Sequence, residues 1–400
     1  MRTAAVTPLL ASTVFLSGVA FAAITPYRSV VGIEALGLSN QVFAVVMALN
    51  AIAGALTSLF IGWLSDRLGD RRKLVILSAM AGVVAFAILW LVRTPLAFIS
   101  VYCVLLPFGT ALFSQSFAYS RAYYDKNAPR RSEFLMSVLR SGFTLAWIIV
   151  PPLAGWLAGA TASFSVFGLA MLAHVIATLA VGLLWLSPGT RIAGGQSTPE
   201  AAASAEPLRL SLSRAFGVSG VTLAQTALQV NLTVLPMIII RDLGGTLEQV
   251  GLNAGFAAVI EMPIMILWGV LAMRMRKETI LAITSLIFGV YFACMWFAQS
   301  FLMVLLFQIP AAIAIAGLLS INISYLQDVF QNRVGLSTAL LDVTTVVSAM
   351  LAAIIFALVA SETYREAMLV AMALCAAAAL LMLLSRWRAD TPKTVSATSH

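Results

Sequence analysis

The sequence predicts an all-α integral membrane protein whose twelve transmembrane helices form two six-helix pseudo-repeat bundles. Three observations carry that prediction. The chain is 61% hydrophobic and only 10% charged, whereas soluble domains carry about 25% charged residues. Its 400 residues are mostly apolar runs of about 20, each long enough to cross a hydrocarbon core of roughly 30 Å. One long polar stretch, 188–213, divides those runs six and six. Soluble, secreted and nucleic-acid-binding classes are thereby excluded. The net charge of +8 sits in short loops between apolar runs and implies no nucleic-acid partner.

The spans follow in order, each bounded by charge. The run 7–31 follows Arg2 and is longer than a signal-peptide core, so it is span 1. Span 2, 41–63, ends at a basic cluster, Arg67, Arg71, Arg72 and Lys73, ahead of span 3, 74–92. Arg93 separates that from span 4, 96–119, and Arg121, Lys126, Arg130 and Arg131 precede span 5, 134–158. Span 6, 163–187, leads into the stretch 188–213, whose Gly, Ser, Ala and Pro mark a linker. Beyond it, spans 7 and 8 (214–240 and 248–272) flank Arg241, and Arg274, Arg276 and Lys277 precede span 9, 279–297. Spans 10, 11 and 12 (301–325, 335–360 and 366–385) are separated by Arg333 and Arg365. Spans 4 and 10 each carry a proline near the outer third, Pro107 and Pro310. The expected organisation is therefore a bundle over 1–187, a linker over 188–213, a second bundle over 214–387 and a tail over 388–400.

Orientation follows from the cations. Of 24 Lys and Arg, nineteen fall on the side of the N-terminus; Arg28, Arg93, Arg241 and Arg365 fall on the other, and Arg140 lies within a span. This bias predicts both termini in the cytoplasm, and a bacterial cytoplasmic membrane as the location. Cys103, Cys294 and Cys375 lie inside apolar runs, so no disulfide framework is expected.

The stretch after span 2 runs Gly62-Trp63-Leu64-Ser65-Asp66-Arg67-Leu68-Gly69-Asp70-Arg71-Arg72-Lys73. Its glycines let two helix ends approach, Asp66 can accept charge-assisted hydrogen bonds at a helix terminus, and the basic run holds the loop inside. The pattern resembles the loop signature of the major facilitator superfamily. A weaker echo, Gly269 through Lys277, follows span 8, with Met273 where the acid belongs. The resemblance implies a substrate site near the midplane between two halves that rock about it. It also places Gly62, Asp66, Arg67, Gly69, Arg71 and Arg72 in a gate, with Asp342 of span 11 as a gate pair or capping contact.

Charges within spans are costly, so they are the first functional candidates. Glu261 lies mid-span 8 before Met262-Pro263, and Arg140 about two turns into span 5. The superfamily fold packs those spans side by side, which lets Arg140 approach Glu261. A protonatable Glu261 couples naturally to protons; a static charge pair is the plainer alternative. Amides form a second layer: Gln225, Gln229 and Asn231 in span 7, with Gln115 in span 4, and Asn50, Asn253, Gln308 and Asn322 elsewhere. Gln225 and Gln229, four residues apart, share a helix face. Each amide both donates and accepts, which suits a polyhydroxylated ligand. Trp147 and Trp268 offer flat faces for a sugar ring, with interhelical packing as the alternative. His174 reads as a core residue. No nucleophile–base pair, metal spacing or phosphate loop is present, so neither enzyme activity nor a cofactor is expected.

One block goes beyond the superfamily. Leu139-Arg140, Leu145-Ala146-Trp147 and Pro151-Pro152-Leu153-Ala154 resemble the span 5 signature of bacterial sugar efflux transporters, and Glu261-Met262-Pro263 their span 8 acid before proline. The resemblance implies export of sugars or sugar analogues by alternating access, in exchange for protons. Arg140, Trp147, Gln115, Gln225, Gln229 and Asn231 then lie near substrate and Glu261 is the coupling acid. The expected partners are a sugar, protons and the lipid bilayer, and the expected state is a monomer. A multidrug pump of the same fold, a solute importer and a membrane sensor remain the rival readings.

Overall fold

The computed structural model describes residues 3–192, 211–329, 334–359 and 363–390. Twelve helices in it are long and apolar enough to cross a membrane. They are α1 (Val6–Ile24), α2 (Asn40–Ser65), α3 (Arg72–Leu91), α4 (Pro95–Asn127), α5 (Pro129–Ala160), α6 (Ser165–Trp185), α7 (Leu212–Asp242), α8 (Leu247–Leu271), α9 (Lys277–Trp296), α10 (Phe301–Val329), α11 (Leu340–Leu358) and α12 (Arg365–Trp387). Among the described residues there is no strand. The face where α1 begins and α12 ends is called terminal here, and the opposite face distal.

Packing reveals the repeat that hydropathy only suggested. In the first half α6 packs on α1 and α3, α5 on α1, and α4 on α3. In the second half α12 packs on α7 and α9, α11 on α7, and α10 on α9. Adding six to each number converts one set into the other. The same relation pairs the two large contacts between halves, α5 with α8 and α2 with α11.

Close helix approach in lipid depends on small residues, because apolar burial gives no drive there. Gly82 of α3 faces the His174 ring and the backbone at Gly109, leaving no room for a side chain. His174 is 2% exposed, and its two ring nitrogens lie 3.0 Å from the Ala170 carbonyl and 3.4 Å from the Gly109 carbonyl. It is a packed core residue, as its apolar setting predicts.

Three departures from regular helix matter for function. Beyond Ile24 the chain turns at residues 25–27, resumes helix over Arg28–Val30 and closes in a π-turn over Val31–Ala35. The expected single span over 7–31 is thus a helix plus a tucked turn, and Arg28 belongs to the turn rather than to an exterior loop. In α4 a π-turn at Val101–Leu105 precedes Pro107, and in α7 one at Ile238–Asp242 follows Pro236. Proline lacks an N–H and frees a carbonyl one turn back, which loosens the local ladder. The three cysteines are free.

The linker begins pinned. The Tyr119 hydroxyl donates to the Thr190 carbonyl at 2.6 Å, and the Arg71 N–H donates to the Ile192 carbonyl at 3.0 Å. The first residues of the linker expected over 188–213 are thus anchored to the first half; residues 193–210 lie outside the described residues.

Candidate functional site

The two halves touch at their distal ends. In α5, Gly155 lies so close to the Leu247 carbonyl that an added Cβ would fall 2.6 Å from it, and Gly255 of α8 meets the Pro152 ring at the same distance. Gly251 admits no side chain against the Pro151 carbonyl. The Tyr27 hydroxyl donates to that carbonyl at 2.7 Å. Across the other seam Asn40 Nδ2 donates to the Val359 carbonyl at 3.0 Å, and the Tyr364 hydroxyl donates to Asn40 Oδ1 at 3.1 Å. The rings of Phe43 and Phe356 pack nearby at a tilt of 60°, 5.5 Å between centroids. Arg241 pairs with Glu34, and Arg365 lies 3.5 Å from Asp242. Towards the terminal face the contrast is plain: Gly54, Gly62, Gly142 and Gly269 each face open space. The halves therefore enclose a cleft that is shut distally and parts towards the terminal face.

Side chains of several helices line the closed end. Arg28 Nη2 reaches the Thr233 hydroxyl of α7 at 3.5 Å, and its Nε is shut off from solvent without a partner. Tyr102 of α4 is 3% exposed with an unpartnered hydroxyl, and its carbonyl accepts from Asn50 Nδ2 of α2 at 2.6 Å. On α7, Gln225, Gln229 and Thr233 recur every four residues and form one stripe. The stripe is tied to α11, where the Ser348 hydroxyl donates to the Thr222 carbonyl at 3.0 Å and lies 3.4 Å from Gln225 Oε1. On α5, Arg140, Trp147, Pro151 and Gly155 lie on one face by helical spacing, so Trp147 sits one turn below the carbonyl that Tyr27 holds. Trp147 and Gln115 are half-buried, and the Arg140 guanidinium lies over the Phe117 ring, 5.5 Å from its centroid.

Other predicted residues go elsewhere. Asn231 points away from the stripe: it is 3% exposed, and its Oδ1 accepts from the Tyr291 hydroxyl at 2.8 Å, with Gln308 Nε2 at 3.5 Å from the same hydroxyl. Two residues beyond Gln229 is more than half a helical turn, which swings Asn231 into the second half's interior. Trp268 is likewise no platform for a sugar ring; it is buried against α10, and its Nε1 donates to the Ile313 carbonyl at 2.9 Å. Glu261 is half-buried on α8 and makes no ion pair or hydrogen bond among the described residues, so Arg140 and Glu261 do not meet. Asp342 of α11 is also half-buried and unpaired among the described residues. Asn253 and Asn322 are buried with unpartnered carbonyl oxygens.

The loop after α2 splits in two. Arg67 stacks on Trp63, 4.0 Å from the ring centroid, and Gly62 and Gly69 are exposed. The Asp66 side chain lies outside the described residues. Arg72, by contrast, is a staple within the first half. Its Nη2 lies 2.6 Å from Asp70, its Nη1 lies 2.9 Å from the Thr190 hydroxyl, and it reaches the Leu184 and Ser187 carbonyls at 3.3 Å. It thereby caps the carbonyl end of α6. Burial raises the Asp70 carboxyl, but hydrogen bonds and charge from Arg72 outweigh that, and the net position is below the usual carboxylate range. Sequence reasoning singled out Asp66 and overlooked Asp70; the available signal was an acid two residues ahead of an arginine at a helix start. It also overlooked Arg28 and Tyr102. Arg28 was legible as a cation inside an apolar run, had it not been counted with the loops.

The sequence profile of the Major Facilitator Superfamily matches this chain twice, over residues 10–219 and 217–399. The chain belongs to that superfamily. Curated relatives of this facilitator cover most of it. A Deinococcus radiodurans protein provisionally named a sugar efflux transporter is 29% identical over 95% of this chain and 97% of its own. Sugar efflux transporter A of Dickeya chrysanthemi is 26% identical over 85% and 84%, and sugar efflux transporter C of Escherichia coli 28% over 82% of each. A crystal structure of the peptide transporter POT with sulfate superposes on the facilitator at a TM-score of 0.77, with 13% identity over 96% of this chain and 94% of its own. A bacterial homologue of the lysosomal transporter Spinster superposes at 0.73, with 13% identity over 96% and 97%. At such identities the two structures speak for the fold alone.

Proposed function

We propose that this facilitator is a secondary active exporter of sugars or sugar analogues. The observation that carries the reading is the amide and hydroxyl stripe Gln225–Gln229–Thr233, set in a cleft that the two halves close at one end. Such a stripe offers donors and acceptors in alternation, which matches a ring of hydroxyl groups and is wasted on a lipophilic drug. Relatives named for sugar efflux, aligned over most of their length, support the same substrate. Trp147 supplies the flat face beside the stripe, and Gln115 and Arg140 the wall nearer the terminal face.

The cation bias assigns the terminal face to the cytoplasm. The structure then corresponds to the state that loads from inside. Export follows when the distal contacts part and the terminal ends close. In that step Gly62, Asp66, Arg67, Gly69 and Arg71 meet the second half, with Asp342 on the facing helix, while Arg72 keeps the loop anchored. Glu261, a lone carboxylate inside a span, is the group that takes up and releases the proton, because an uncompensated charge there is costly and neutralisation relieves it. The protein acts as a monomer, with a bundle on either side of the linker.

The test is flux in proteoliposomes with labelled lactose and methyl glucoside under an imposed pH gradient, for wild type and Glu261→Gln. The expected result is gradient-driven sugar movement in wild type, and in the variant its loss with sugar exchange preserved. Movement of a lipophilic cation with no sugar flux would replace the substrate assignment by a drug-efflux one. Gradient-driven flux in Glu261→Gln would remove that residue from coupling.

A further inference from the structure

Arg28 occupies an unusual position for a cation. Its turn is tied to Thr233, nine residues before the end of α7, and it lies beside Tyr102, seven residues into α4. At 1.5 Å per residue those levels are roughly 10–15 Å below the distal helix ends, within the hydrocarbon depth. A guanidinium there needs an anion, yet no carboxylate pairs with it among the described residues. The distal acids Glu34 and Asp242 have other partners, Arg241 and Arg365. What surrounds Arg28 is a set of neutral donors and acceptors, several with nothing to bind. Its own Nε, the Tyr102 hydroxyl and the hydroxyl of fully buried Ser29 are all unpartnered. Two unsatisfied polar groups side by side, Arg28 Nε and the Tyr102 hydroxyl, are a costly arrangement in a protein of this hydrophobicity unless a ligand completes it.

The geometry points to an anion subsite at the closed end of the cleft, in which Arg28 and Tyr102 take a carboxylate or phosphate group carried by the sugar. The Gln225–Gln229–Thr233 stripe leads straight to it, since Thr233 is both the last member of the stripe and a partner of Arg28. A sugar whose hydroxyl groups lie along the amides thus presents a terminal acidic group to Arg28. An Arg–carboxylate contact is charge-assisted and frequently bidentate, and worth about 1.5–3 kcal/mol, which is about tenfold or more in affinity. This inference rests on the sugar reading above and narrows it to anionic sugars.

The experiment compares binding of phenyl glucuronide and phenyl glucoside, which differ in one carboxylate, to the purified full-length protein. Wild type, Arg28→Gln and Arg28→Lys are measured, with thermal unfolding as a control for folding. The expected result is a glucuronide preference of about tenfold or more in wild type. The preference falls to near one in Arg28→Gln and is partly kept in Arg28→Lys. Raising the salt concentration weakens the glucuronide alone. Equal binding of the two sugars by wild type overturns the anion subsite while leaving the sugar reading intact. Failure of both to bind overturns both readings. A preference that survives intact in Arg28→Gln overturns the assignment to Arg28. If Arg28→Gln does not fold, the wild-type ratio and Arg28→Lys decide the matter.

Discussion

A span of an integral membrane protein places its polar residues on one of two sides, and two positions on α7 show how much the side matters. Gln229 has no side-chain partner among the described residues, whereas Asn231 is locked to Tyr291 inside the second half. We therefore expect Gln229→Leu to weaken sugar binding about tenfold, the worth of roughly one hydrogen bond to a ligand, with little change in thermal stability. Asn231→Leu should do the reverse, costing about 1–3 kcal/mol of stability by leaving Tyr291 unsatisfied, with affinity nearly kept. Paired binding and unfolding curves check both, and a stability loss in the first variant with none in the second would reverse the placement of the two faces. Gln225 and Gln229 were legible as a pair because helical spacing alone puts them together. That the same spacing takes Asn231 elsewhere was legible too. Which of the two faces meets the cleft was not, because periodicity says nothing about what a face looks at.

At the scale of helices, contacts are made by backbone proximity and by buried charge. The Asp70–Arg72 pair ties the start of α3 to the end of α6 and is buried on both sides. Because the Asp70 carboxyl titrates below its ordinary value of 3.8 when folded, its contribution is complete above that value and is lost as pH falls through the lower folded one. Asp70→Asn should lower stability by about 3 kcal/mol at neutral pH. The gap from wild type should stay constant down to about pH 4 and close below it. Unfolding midpoints between pH 3 and 7 measure this, and a gap that closes near neutrality would mean another group dominates. The α5–α8 seam makes a steric prediction instead. Gly251→Val places side-chain atoms into the Pro151 carbonyl, while Gly269→Val meets open space. The first should cost about 1–3 kcal/mol and speed maleimide labelling of a cysteine at Leu247; the second should do neither. Equal labelling in both would mean the seam does not hold the distal end shut.

For the whole molecule, the relevant quantity is the balance between distal and terminal contacts. The Arg241–Glu34 pair and the Asn40 hydrogen bonds join the halves on the distal side. The Arg241–Glu34 pair is partly exposed, so it is worth no more than about 1 kcal/mol, and such a latch can be opened without great cost. Arg241→Ala should therefore shift the population rather than unfold the protein. Spin labels at Leu96 and Leu302, near the distal starts of α4 and α10, should report a second and longer distance in the variant. A single unchanged distance would show that the latch does not set the equilibrium. Sugar affinity should fall in proportion to the population that leaves the loading state.

The fold class, the number of spans, the division into halves and the residues worth suspecting are all legible in the linear pattern of residues. They are legible because hydrocarbon imposes one rule everywhere: a spanning segment must be apolar and helical, and any exception is expensive. Which exceptions share a site emerged from the three-dimensional packing alone. It put Arg28 beneath the distal closure rather than in a loop, and showed Arg72 stapling the end of α6. It kept Arg140 and Glu261 apart. Those outcomes depend on helix rotation, on the π-turns beside Pro107 and Pro236, and on glycine-mediated approach between helices distant in sequence. Rotation and approach are set by packing among twelve helices at once, and a linear pattern of apolar and polar residues does not encode them.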